Sequence, residues 1–333
     1  MKNFTPGTPS RREGFIQRLL SCSVTASASC RRNLLAPLIG AASIVFWFVP
    51  ETANGQIYVT NSGNGTIGEY NLDGTVINAS LISGLSNPTG LVVSGSDLFV
   101  VNNGNGTIGE YTTSGATVNA SLVSGLQGPY GITVSGSDLF VANYGNDTVG
   151  EYTTSGATVS ASLLSAAPAY PTGVVVAGSD LLVTSNNGWI GEYTLTGATV
   201  YYYFIYGSGL DYPFGTALSG SNLFAANSLS NSISEYTTSG GTVNASLVTG
   251  LNAPYGIAVY GADVFVTNTG NDTVGVYNAA TGAEVNASLI SGLNDPQGIA
   301  VVPEPATYAT IIGIFALGAA GVREMRRRLA DAA

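Results

Sequence analysis

From about residue 56 to residue 302, apolar and polar residues alternate over short stretches, interrupted every few residues by Gly, Ser, Asn or Asp. One such stretch, Pro129 to Ala166, parses into four segments: Gly131–Val134, Leu139–Asn143, Thr148–Thr153 and Ala157–Leu164. Val, Ile, Phe, Tyr and Thr fill the segments, which predicts strands, and the small polar joints supply turn chemistry. No 3.6-residue periodicity accompanies the pattern, so stacked helical repeats are excluded.

The prolines set the larger period. Pro88, Pro129, Pro171, Pro213, Pro254 and Pro296 are 41, 42, 42, 41 and 42 residues apart, and each begins a Pro-x-Gly. Four strands recurring near 40 residues predict the blades of an all-β, six-bladed β-propeller. The chain enters the pattern at Ile57 to Asn61 with second-strand sequence, and leaves it at Gly298 to Val302 with first-strand sequence. The two partial ends add to one whole blade, as a ring closed by its own termini requires. The expected domain is therefore 56–302.

Both flanks differ from this body. Leu34 to Val49 is an uncharged 16-residue run behind Arg31-Arg32, followed by Ala53-Asn54-Gly55. Basic region, apolar region and small-residue site, in that order, predict a secretory signal over 1–55 with a cut before Gln56. At the other end, 303–333, Pro303-Glu304-Pro305 precedes an apolar run, 308–322, and then Arg323 and Arg326-Arg327-Arg328. The run predicts a short membrane helix whose basic tail stays cytoplasmic.

Charge narrows the function. The chain has 10 basic and 20 acidic residues and no histidine. No Lys or Arg stands between residues 33 and 322, whereas 15 Asp and Glu lie within 56–302. Nucleic-acid binding needs cations to displace phosphate counterions, so that class is excluded. Histidine-dependent acid–base or metal chemistry is excluded too. The two cysteines, Cys22 and Cys30, precede the body, which removes disulfides, thiol nucleophiles and zinc-thiolate sites from it.

The C-terminal arrangement of Pro-Glu-Pro, apolar helix and arginine cluster resembles the PEP-CTERM sorting signal of Gram-negative bacteria. That resemblance implies an exosortase-type processing partner, with Pro303, Glu304, Pro305, Arg326, Arg327 and Arg328 read during sorting. It also implies delivery to the cell surface or exopolysaccharide matrix. A plain membrane anchor is the alternative. The repeat units are similar to NHL and YVTN propeller repeats, carried by Tyr58-Val59-Thr60-Asn61, Pro129-x-Gly-Ile-x-Val and Asn143-x-Gly-Asn. Such propellers include scaffolds, surface proteins and a minority of lactonases or lyases, so this resemblance implies fold more than activity.

Candidate chemistry gathers on one face. The second-to-third-strand loops and the blade-to-blade loops open together, bringing Asn64, Asn105, Asn146 and Asn271 near the residue inside each Pro-x-Gly. Tyr130, Phe214 and Tyr255 are expected there with Tyr144, Trp189 and Tyr212, either stacking on sugar rings or plugging the channel. Glu69, Glu110, Glu151, Glu192 and Glu235 recur before Tyr in the third strand, and repetition on separate blades points to structure instead of a catalytic carboxylate pair. Asp147 and Asp272 sit in Asn-Asp-Thr turns, with Ca2+ as a minor alternative to a plain turn. Asn-Ala-Ser and Asn-x-Thr triplets match the eukaryotic glycosylation acceptor pattern, an incidental match in a bacterial surface protein that follows from polar outer-strand residues. In the fourth unit, Tyr201 and Tyr203 replace Asn119 and Ser121 at outward positions, a candidate contact surface. The expected function is a non-enzymatic, exported propeller binding polysaccharide or protein through its loop face. A metal-dependent lactonase or lyase is the alternative.

Overall fold

The computed structural model describes residues 55–165 and 169–303. They form six four-stranded antiparallel sheets, and five of these use consecutive strands. The first blade is different: its inner strand is the last of the chain, Pro296–Pro303, set beside Gly55–Asn61. Gln56 pairs with Val302, Ile57 with Val301 and Tyr58 with Ala300, so the partial ends complete one blade as expected. In the third blade the strands are Pro129–Ser135, Asp138–Asn143, Thr148–Thr153 and Thr158–Ser165. The expected membrane helix and signal lie outside the described residues. Among the described residues no helix is long and apolar enough to cross a membrane.

The apolar core is divided into layers between blades. Phe99, Val101 and Ile108 of the second blade pack on Ile132, Leu139 and Val141 of the third. Phe140, Ala142 and Val149 of the third pack on Val174, Leu181 and Val183 of the fourth, and the pattern continues round the ring. Each blade thus buries both of its faces against neighbours. That explains why its middle strands read almost continuously apolar, while outer-strand residues such as Val76 and Val118 stay exposed.

The glycine of Pro-x-Gly is imposed by ring closure. A Cβ on Gly131 would stand 2.6 Å from the carbonyl oxygen of Thr172 on the next blade, and one on Gly173 2.7 Å from that of Phe214. At Gly90, Gly215, Gly256 and Gly298 the next blade's carbonyl intrudes in the same way. Six inner strands converge on the axis, and only glycine lets the backbones approach that closely.

The recurring asparagines are also structural. Asn64, Asn105, Asn146 and Asn271 each accept the hydroxyl of the Thr two residues on, at 2.8–2.9 Å, which tightens the turn into the third strand. Asn78, Asn119, Asn244 and Asn286 each accept the amide two residues on, at 3.0–3.1 Å, where the outer strand shifts register. The Asn of the Asn-Ala-Ser triplet therefore serves a bulge in the outer strand.

Candidate functional site

The residue before each repeat proline has a left-handed backbone: Asn87, Tyr170, Tyr212, Ala253 and Asp295 at φ 47–57°, with Gly128 completing the ring at φ 55°. This conformation is costly for non-glycine residues and is opposed further by the following proline. In three blades a turn side chain holds it. Asp147 Oδ1 accepts the Tyr170 amide at 2.6 Å, Asn231 Oδ1 the Ala253 amide at 2.8 Å, and Asp272 Oδ1 the Asp295 amide at 2.8 Å. Asp147 and Asp272, considered above as calcium ligands, are engaged as backbone clamps.

The strained turns carry rings onto the loop face. Phe214 stacks on Tyr255 at 4.1 Å between centroids, and Tyr130 lies 6.2 Å from Phe214 and 6.3 Å from Tyr255. Tyr144 meets Tyr130 edge-on at 5.3 Å, Tyr170 lies 5.3 Å from Tyr144, and Tyr212 meets Phe214 at 5.4 Å. Six aromatic residues from four blades thus form one connected cluster over the channel mouth. Tyr170 and Tyr212 are the exposed members. The expected meeting of Tyr130, Tyr144, Tyr212, Phe214 and Tyr255 is observed, and Tyr170 joins them. Its pre-proline position was the overlooked signal, since Tyr212 occupies the same place.

Trp189 is the exception. It is buried at the start of the fourth blade's third strand, where its ring packs 4.7 Å from Tyr202 and 5.2 Å from Tyr203 of the outer strand. The other blades have Thr or Ser here, and the larger ring turns to its own blade's edge, away from the axis. Tyr201 and Tyr203 of that strand are exposed as expected, but Tyr202 and Tyr206 are exposed too, because the register shifts along this outer strand and exposure there does not alternate.

Below the mouth the channel is a cavity of about 90 Å³ lined by Thr89, Tyr130, Thr172, Phe214, Tyr255 and Gln297. Drug-sized ligand pockets run to about 300–1,000 Å³, so this one has room for a few waters and not for an enclosed substrate. The Tyr255 hydroxyl and Gln297 Oε1 are buried in it without a protein partner among the described residues. Burial, then the neighbouring Tyr130 and Asp295, pushes the Tyr255 phenol well above its ordinary range, which keeps it protonated and able to donate. These six lining side chains offer no carboxylate, imidazole or thiolate, so the donor set does not suit a catalytic metal. Among the described residues no three acidic, His or Cys side chains stand close enough to share one.

The repeated glutamates stand on separate blades. Glu69 accepts Tyr58 at 3.4 Å and Glu235 accepts Asn222 at 2.8 Å. Glu110, Glu151 and Glu192 are raised by burial and then by the charge of Asp97, Asp138 and Asp180, each within its own blade. Of the sorting residues, Pro303 ends the closing strand opposite Gly55. Glu304, Pro305, Arg326, Arg327 and Arg328 lie outside the described residues.

Six four-stranded blades around a narrow channel, with an aromatic cluster on the loop face, define a six-bladed β-propeller. More particularly, the chain matches the virginiamycin B lyase family over residues 44–315 and belongs to that family. Similar solved structures include the nidogen/laminin complex (14% identity, TM-score 0.63, 74% of this chain and 98% of that one). A streptogramin B lyase shares 21% identity at TM-score 0.55, over 74% of this chain and 91% of that one. A catalytically inactive histidine-to-alanine variant of virginiamycin B lyase from Staphylococcus aureus, with quinupristin, shares 21% identity at TM-score 0.56, over 77% and 94%. At these identities the likeness shows the fold alone. A search of curated proteins finds no match.

Proposed function

We propose that the protein is an exported, non-enzymatic propeller that binds polysaccharide through its aromatic loop face, at the cell surface or in the exopolysaccharide matrix of a Gram-negative bacterium. The observation that carries the reading is the connected cluster of Tyr130, Tyr144, Tyr170, Tyr212, Phe214 and Tyr255 over a channel too narrow to enclose a substrate. Exposed rings with hydroxyl rims suit sugar faces, being apolar across the ring and hydrogen-bonding at the edge.

Tethering geometry agrees with it. Inner strands begin at the aromatic face, so Pro303, the last residue of the closing strand, stands at the opposite face beside Gly55. A tail held in the membrane through 308–322, before an exosortase-type enzyme removes it, would leave the aromatic face pointing outward.

Family membership favours a second reading, a lyase. The inactivated relative lacks a single histidine, and this chain has none. The channel donor set gives a metal no better footing. Both points weigh against lyase chemistry here.

The test is affinity electrophoresis of protein recovered from its host, through gels containing a neutral polysaccharide (hydroxyethyl cellulose) or a polyanion (alginate). Retardation is expected in the neutral gel. It should fall when Tyr144, Tyr170 and Tyr212 are replaced by Asn, the residue the second blade carries at these three places as Asn103, Asn87 and, again, Asn87. Equal mobility in all gels would sink the reading.

A further inference from the structure

Sixfold repetition gives a standard against which departures stand out. In the outer strands of the other blades, the positions of Tyr201, Tyr202, Tyr203 and Tyr206 are small or polar, as Asn119, Ala120, Ser121 and Ser124 illustrate. The fourth blade fills all four with Tyr and sets Trp189 behind them. It also gives up a bond: Tyr201 cannot accept the amide that Asn119 accepts at 3.1 Å. The rings pack on Trp189 and on one another, yet Tyr201, Tyr203 and Tyr206 keep most of their surface open to solvent, so packing alone does not account for the departure. Three of these rings are among the most exposed aromatics described, at 62% for Tyr201, 60% for Tyr203 and 69% for Tyr206.

The rings contact one another in series. Tyr202 meets Tyr203 edge-on at 4.7 Å, and Tyr203 meets Tyr206 at 5.4 Å. The series also approaches the loop-face cluster. Asn186 donates to the Tyr144 hydroxyl at 3.3 Å, and its loop leads three residues later into Trp189. On the neighbouring turn Asp147 holds Tyr170, itself 5.3 Å from Tyr144.

We infer that the fourth blade's tyrosine edge and the channel-mouth cluster form one extended subsite series for a neutral glycan chain, which leaves the face over Tyr144 and Tyr170 and continues along Tyr202, Tyr203 and Tyr206, with the buried Trp189 packed beneath them. This rests on the glycan reading above and assigns its polymer class and direction. Neutral is specified by charge. With 15 carboxylates and no Lys, Arg or His within residues 56–302, a uronate- or phosphate-bearing polymer is repelled. Extended is specified by shape, because exposed rings stand at both ends of this line of contacts, Tyr170 and Tyr212 at the mouth and Tyr201, Tyr203 and Tyr206 along the edge.

The experiment measures binding of neutral glucan oligosaccharides of two and six units, from the cello- and malto-series, to host-produced protein by calorimetry. Trp189 emission is followed in parallel, since it is the single tryptophan of residues 55–303. The six-unit chain should bind about tenfold or more tightly than the two-unit one, and it alone should change the Trp189 emission. Tyr201→Asn with Tyr202→Ala and Tyr203→Ser gives the edge the second blade's residues. This variant should lose the length advantage while keeping the affinity for the disaccharide. Equal affinity for both lengths, or an unchanged length advantage in a variant whose melting temperature is preserved, overturns the extended series and leaves the loop-face reading standing. Absence of binding to either series by the unaltered protein overturns both.

Discussion

The amide of Gly298 donates a 2.7 Å hydrogen bond to Oγ1 of Thr60, which lies 238 residues away in the chain. The same hydroxyl donates to the Thr89 carbonyl at 2.7 Å. One buried side chain thus joins the closing strand, its own strand Gly55–Asn61 and the next blade. Thr267 repeats the device, accepting the Gly256 amide and donating to the Gln297 carbonyl, both at 2.7 Å.

Thr60→Val keeps the shape and removes the bonds, leaving a buried amide and carbonyl short of a partner. The expected cost is about 1–3 kcal/mol. For a domain of this size that is a fall of about 2–4 °C in melting temperature per kcal/mol. Thr60→Ser should recover most of it. Thermal unfolding followed by circular dichroism checks both, and an unchanged melting temperature in Thr60→Val would show that the closure bond contributes nothing.

Two glycine substitutions separate crowding from backbone conformation. Gly131→Ala drives a methyl against the Thr172 carbonyl and should cost about 2–3 kcal/mol. Gly178 has φ +65° but open space around it, so Gly178→Ala should cost only about 1 kcal/mol. Denaturant melts of the two proteins give the comparison, and the reverse order would contradict the packed axis.

Stability should rise on mild acidification. Burial raises Glu69, Glu110, Glu151, Glu192 and Glu235, and the adjacent Asp97, Asp138 and Asp180 add to it in the middle three. The folded state therefore holds these protons more tightly than the unfolded chain. Their contribution is present below the ordinary value of 4.5 and is lost as pH rises through the higher folded values. The melting temperature should be higher near pH 4.5 than at pH 7. Gln at positions 110, 151 and 192 should flatten that profile, and a profile unaltered by these changes would assign it elsewhere.

Processing should leave a species bounded near residues 56 and 303, the ends of the two strands in which Gln56 pairs with Val302. Intact mass of secreted protein from the native host measures this directly. A membrane-bound species retaining Arg326 to Arg328 would make the tail a simple anchor, with the propeller unaffected.

Much of the fold was legible because its causes are local. Alternation defines the strands, Gly, Asn and Asp define the turns, and the Pro-x-Gly spacing counts the blades. The partial blade at each end even announced how Gly55–Asn61 would pair with Pro296–Pro303. Loop positions followed from strand direction, which put Tyr130, Phe214 and Tyr255 on one face before any coordinates.

Contacts between blades were not legible, because they depend on which backbones the closed ring brings together. The demand for Gly131 comes from Thr172, 41 residues on, and the strain at Tyr170 is held by Asp147 from a turn 23 residues earlier. Nothing near Trp189 in sequence says that it turns to Tyr202 instead of the axis. Periodicity by itself determined a six-bladed ring with its loops on a common face. Tertiary structure decided which rings touch, because those contacts are between side chains of different blades and depend on how neighbouring blades pack in the ring.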